Sequence, residues 1–249
     1  MKYFLYILCF SYIIISVESI NNKDKDKPYL TKHSNNYYSQ FGEDGILEYI
    51  FSVIGVGSKI CIEFGAWDGQ LYSNTALLWK HQEWYTYLLE INSERYLDLV
   101  ENTKSHPKVF TINEGVGIHE NSLENILIRN HLSYEYIDLL SIDIDSNDYY
   151  IFESLEIMRP RVIVCEYNPT LPSELDVYGA YGESMGASIS ALDKVAISKG
   201  YTLVAITVTN GIWVRNDVAQ PLIDEFDVDI RHIKLNTWVT YLVSDYDVW

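Results

Sequence analysis

Four carboxylates and one amide are spaced so that they can meet at one place. Asp143, Asp145 and Asp148 lie in Ser141-Ile-Asp-Ile-Asp-Ser-Asn-Asp148, and Glu166 and Asn168 in Glu166-Tyr-Asn-Pro169. Each cluster ends an apolar run, 137–145 or 162–167, that reads as a buried strand. Side chains alternate along a strand, so Asp143 and Asp145 share a face while Asp148 opens the next helix. Like charges held close raise one another's pKa, which supplies a general base near neutral pH. Asp145 and Asp148 are the expected bases, followed by Glu166. The alternative is a divalent cation that acidifies a hydroxyl, held by Asp145, Glu166 and Asn168 in an oxygen-rich site. The stretch from Asp143 fails as a calcium loop: its sixth position is Asp148 where glycine is needed, and its twelfth is Ser154 where glutamate is needed. His81, His106, His119 and His131 show no metal-ligand spacing.

A second constellation is Lys59-Ile-Cys-Ile-Glu-Phe-Gly-Ala-Trp-Asp-Gly69. An apolar run carrying Glu63 breaks at Gly65 and Gly69, and Ser73 can cap a helix over 73–79. A strand, a glycine turn and a helix N-terminus make the first unit of a nucleotide-binding α/β sheet. The loop lacks G-x-G-x-x-G, so it does not predict a dinucleotide. Its G-x-x-x-G, with an acid on the strand, favours S-adenosylmethionine (SAM), which has no pyrophosphate to cradle. Glu90 follows Gly65 by 25 residues and ends the next apolar run, where an acid can accept hydrogen bonds from ribose hydroxyls.

These residues need a scaffold, and the chain alternates strand and helix patterns to supply one. Strands are expected at 60–64, 84–91, 108–113, 137–145 and 162–167, and a hairpin at 201–207 and 212–215 around Asn210-Gly211. Helices are expected from Ile46, then over 93–104, 123–131, 149–158 and 188–199. The pattern predicts a doubly wound, mostly parallel seven-stranded α/β sheet with a C-terminal antiparallel hairpin. Ligands of such sheets lie over the carboxyl ends of the strands. Glu63, Asp68, Glu90, Glu114, Asp143, Asp145, Asp148, Glu166 and Asn168 all fall there. Trp79, Trp84 and Tyr85 are expected to pack the sheet, and the loop Tyr178-Gly-Ala-Tyr-Gly182 to cover an acceptor site.

Ser39-Gln-Phe-Gly-Glu-Asp-Gly45, Glu63-Phe-Gly-Ala-Trp-Asp-Gly69, Ser73-Asn-Thr75, Leu89-Glu90, the strand-four acids, Glu166-Tyr-Asn-Pro169 and Gly186-Ala-Ser188 follow one another in order. Together they resemble the motifs of FkbM-type methyltransferases, from about Ser39 to Asp217. The resemblance implies a class I methyltransferase (Rossmann-like) fold and SAM-dependent methylation of a hydroxyl on a small molecule or sugar. It implies that Glu63, Gly65, Ala66 and Gly69 line the methionine end of SAM and that Glu90 holds the ribose. Asp68, Glu114 and Asp143 complete the expected cofactor set, and the resemblance puts Asp143, Asp145 and Asp148 beside the reacting methyl. The chain departs from the pattern at Ile91, where relatives carry proline, and at Ser146, where they carry glycine. Neither change removes a charge. A non-catalytic descendant acting as a binding module stays open, and the absent G-x-G-x-x-G argues against a dehydrogenase.

At 249 residues the chain is long enough for one full core, expected over 37–249. Its 35 acids against 18 bases give a net charge of −17, which disfavours a nucleic-acid partner. Residues 1–19 pair Lys2 with a short apolar run and a Val17-Glu18-Ser19 cleavage pattern. They read as a secretory signal, with an uncleaved membrane anchor as the alternative, and 20–36 as a flexible charged linker. The expected partner is a small-molecule or glycan acceptor. Cys61 and Cys165 sit in apolar strand patterns and read as buried thiols.

Overall fold

The computed structural model describes residues 27–132 and 136–233. Seven strands, β1 (Ile60–Phe64), β2 (Tyr85–Leu89), β3 (Val109–Ile112), β4 (Leu139–Ile142), β5 (Val162–Glu166), β6 (Tyr201–Ile206) and β7 (Asn210–Arg215), form one sheet of order β3-β2-β1-β4-β5-β7-β6. The pairings among β1 to β5 are parallel, and β7 runs antiparallel between β5 and β6. This is the class I methyltransferase sheet that the strand–helix alternation predicted. Its order reverses between β1 and β4, which opens a crevice above their carboxyl ends.

Period-two alternation fixes which side chains meet which helix layer. Ile62, Phe64, Leu140, Ile142, Ile163 and Cys165 face α4 (Leu123–Arg129), α5 (Asp148–Ser154) and α6 (Ile189–Ser198). Cys61, Leu139, Val162 and Val164 face α1 (Glu43–Ile54) and α7 (Asn216–Glu225). Ala66, Leu88 and Leu99 form a small third cluster under α3 (Ser93–Thr103). Cys61 and Cys165 are free and buried, as expected. Trp79 and Trp84 are buried, whereas Tyr85 is nearly half exposed, with Lys108 Nζ 5.5 Å from its ring centre.

Several boundaries differ from the sequence expectation. The strand expected over 137–145 ends at Ile142, because Asp148 captures the N–H groups of Ile144 and Ser146. The helix expected from Ser73 begins at Ala76, as α2 (Ala76–His81), because Glu63 claims the 73–75 segment. Helix α7 was not anticipated: Pro221 lies inside it and masks the pattern. Packing also reaches further toward the N-terminus than Tyr37. Leu30 is buried in a 3-10 turn over Leu30–His33, His33 stacks on Tyr49 at 3.6 Å, and Asp227 N–H donates to Pro28 O at 3.0 Å. The signal segment lies outside the described residues. Among those, no helix is long and apolar enough to cross a membrane.

Candidate functional site

The first wall of the crevice is the β1 end. Glu63 is buried, and its carboxylate accepts from Ser73 Oγ (2.6 Å), Thr75 Oγ1 (2.6 Å) and Asn74 N–H (2.8 Å). Burial raises its pKa, and those three hydrogen bonds oppose the rise. Asn74 Nδ2 in turn donates to Ser141 Oγ on β4 at 3.1 Å. Glu63, expected among the cofactor contacts, therefore faces its own chain and shapes the 73–75 loop.

Gly65 follows with φ 74°, and a Cβ placed on it would stand 1.7 Å from the carbonyl oxygen of Asp143. Only glycine permits that approach, which presses the β1 loop onto the β4 end. Ala66 N–H donates to Leu89 O at 3.1 Å, and Trp67 N–H to Glu90 Oε2 at 2.9 Å. Trp67 is partly exposed, with the Arg95 guanidinium 3.4 Å from its ring centre. Gly69 has φ 79° and packs on Leu99. Asp68, expected to touch the cofactor, instead folds its own turn: its Oδ1 accepts from the N–H groups of Gln70 (2.9 Å) and Leu71 (2.8 Å).

Glu90 ends β2 as a buried acid. Its Oε1 accepts from Asn92 N–H at 2.7 Å, so each oxygen has one backbone donor and capacity for another. Ile91 beside it is exposed and lies against Gly115 of the β3–α4 loop. Glu114, expected at the cofactor, is paired with Arg129, whose hydrogen bond lowers its pKa.

The second wall is acidic. Oxygens of Asp143, Asp145 and Glu166 all lie within 4.8 Å of one another. Interaction between the two carboxyls raises the pKa of Glu166 and opposes the rise at Asp143. Burial first, then the neighbouring acids, push Asp143 up to about 7 and Glu166 to about 9. Among the described residues, no ion pair reaches this cluster.

Two expected members have other partners. Asp148 is buried, with Oδ1 accepting from Ile144 N–H (2.9 Å) and Oδ2 from Ser146 N–H (3.0 Å). It clamps the loop in which Asp145 takes φ 60°. Strand alternation therefore does not bring Asp145 beside Asp143; a folded loop does. Asn168 spends its Nδ2 on Met185 O (2.9 Å) and its Oδ1 on Thr170 N–H (2.9 Å) and Oγ1 (2.7 Å). Asp143 takes its place beside Asp145 and Glu166.

Glu43 and Asp44 open α1, and both side chains are buried. Asp44 accepts from the N–H groups of Tyr37, Tyr38 and Ser39 at 2.6–2.8 Å. Glu43, fully buried, also ties α1 to the β6–β7 turn through Thr207 Oγ1 (2.5 Å) and Asn210 Nδ2 (3.0 Å). Asn147 was missed altogether. Its Oδ1 accepts from Gly182 N–H at 2.7 Å, joining the acid loop to the tyrosine loop, and nothing in local sequence pairs those positions.

The raised acids make stability depend on pH. Their pKa values are higher in the folded chain, so their stabilising contribution is complete below the unfolded values of 3.8 and 4.5 and is lost as pH climbs through about 7 and about 9. The melting temperature should fall progressively from about pH 4 to about pH 9 and level off above that. Asp143→Asn should flatten the fall, as differential scanning fluorimetry across pH would show. A profile identical to wild type would mean that the cluster is not charged as described.

No family model matches the chain, and no curated protein matches it. Solved structures do resemble it in fold. A SAM-dependent methyltransferase from Aquifex aeolicus is 12% identical, with 70% of this chain and 89% of that one covered and a TM-score of 0.43. An O-methyltransferase from Bacillus cereus in complex with S-adenosylhomocysteine (SAH) is 17% identical, covering 67% and 77%, with a TM-score of 0.44. TrmK from M. capricolum, also with SAH, is 13% identical, covering 67% and 66%, with a TM-score of 0.41. Likeness at this level settles neither chemistry nor substrate. The fold assignment rests on strand order.

Proposed function

We propose that the chain binds SAM over the carboxyl ends of β1, β2 and β4 and directs its methyl group to a hydroxyl oxygen. One observation carries this reading: a single loop touches both acidic sites. Gly65 lies against the Asp143 carbonyl, and Trp67 N–H against the Glu90 carboxylate. A nucleoside held at Glu90 therefore has its far end directed toward Asp143. The free acceptor capacity of Glu90 suits ribose hydroxyls, and Ile91 offers an exposed apolar surface beside it for a base.

When bound, SAM supplies an electrophilic methyl carbon, to which the acceptor oxygen bonds as the carbon–sulfur bond breaks and its electron pair stays on sulfur as SAH. The chain has to hold the acceptor oxygen in line and take its proton. Asp143, raised to about 7 by burial and the neighbouring acids, is the proton acceptor in this scheme. The motif series from Ser39 to Asp217 supports placing the chain with the FkbM-type enzymes. A second reading is favoured by the convergence of three carboxylates within 4.8 Å: Asp143, Asp145 and Glu166 could hold a divalent cation that acidifies the acceptor hydroxyl.

Glu90→Ala should weaken SAH binding by roughly 1.5–3 kcal/mol, the worth of hydrogen bonds to a charged group. Calorimetry on the variant tests the placement. Unchanged affinity in a folded protein would remove the ribose from Glu90.

A further inference from the structure

We propose that Tyr178, Tyr181, Tyr149, Tyr150 and Asp145 form the receiving surface for the positively charged nitrogen of an amino-alcohol acceptor, whose hydroxyl is the group methylated. This rests on the methyl-transfer reading and names its substrate class. The Tyr149 and Tyr178 rings stack 4.0 Å apart at 6°, and Tyr150 meets Tyr178 and Tyr181 edge-on at 6.1 and 5.5 Å. Tyr178 and Tyr181 are nearly half exposed. The rings are fastened to the acid loop by Gly182 N–H on Asn147 Oδ1 and by Tyr150 Oη donating to Gly179 O at 3.0 Å. Asn147 lies two residues beyond Asp145, the exposed member of the cluster.

Charge complementarity selects the occupant. Tyrosine faces carry the negative side of the ring quadrupole and attract cations. Oxygens of three carboxylates converge within 4.8 Å, and among the described residues no lysine or arginine pairs with them. A cationic acceptor complements that unpaired acidic group, and an anion is repelled by it. The net charge of −17 also draws cations toward the chain.

The test uses the folded protein saturated with SAH, titrated with choline and with its uncharged isostere 3,3-dimethyl-1-butanol. Choline should bind at least about tenfold tighter. In Asp145→Asn, and separately in Tyr178→Ala, that ratio should fall to roughly threefold or less with SAH affinity unchanged. Asp145 is exposed, so its variant keeps the test open if the tyrosine variant misfolds. Equal binding of the two probes, or binding of neither, overturns the proposal while methyl transfer stands. Failure of SAH itself to bind removes both.

Discussion

Asp143→Asn should lower turnover by about 10²–10⁴ while leaving SAH affinity within a few-fold, because a general base contributes on that scale and little to cofactor binding. Asp143 is the cluster member that burial and the neighbouring acids bring to about 7. Asparagine preserves the shape and cannot take the proton. Asp145→Asn should act differently, raising KM more than it lowers kcat, since that carboxylate is exposed at the outer rim. If a divalent cation holds the three carboxylates, EDTA will abolish activity and magnesium will restore it. Near-full activity of Asp143→Asn, with EDTA harmless, would contradict both mechanisms. The acids would then be structural, and positioning alone would carry catalysis.

Gly65→Ala should be the most damaging single methyl in the chain. The added Cβ would lie 1.7 Å from the Asp143 carbonyl oxygen, a backbone atom that no rotamer change can move, and φ is 74°. Left-handed backbone costs alanine about 1–2 kcal/mol. Forcing an extra carbon into a packed site adds about 1–3 kcal/mol more. Loss of roughly 2–5 kcal/mol of stability, with SAH binding abolished, is therefore expected. Gly182→Ala is the control: its φ is 90°, but nothing lies within 4 Å of an added Cβ. It should cost only the conformational part, about 1–2 kcal/mol. Denaturant melts of the two variants separate these effects. A Gly65→Ala protein with native stability and SAH affinity would mean that the β1 loop does not press on β4.

The strands were legible because near-continuous apolar runs such as Ile60–Phe64 and Val162–Glu166 are buried on both faces, and burial writes itself into composition. The site was legible only as far as the strand ends. Beyond them, position depends on which carboxylate captures which backbone N–H, and that choice is made by the folded loop. Asp148 and Asp68 read as functional acids because they lie in the right place. The structure shows each hydrogen-bonded to its own turn. Glu114 was lost to Arg129, fifteen residues away on a helix whose facing direction the sequence does not state. Glu90 lies just past the end of β2, as its apolar run implied, but its contact with the neighbouring β1 loop could be read only from the structure.

The central claim is that the crevice above β1, β2 and β4 holds an adenosyl sulfonium nucleotide. Isothermal titration of the purified domain with SAM, SAH and NAD addresses it most directly. The account predicts one site for SAM and SAH, no NAD binding, and weakened SAH binding in Glu90→Ala by the roughly 1.5–3 kcal/mol given above. Binding of NAD in preference to SAH, or no binding of either nucleotide by the folded chain, would contradict it.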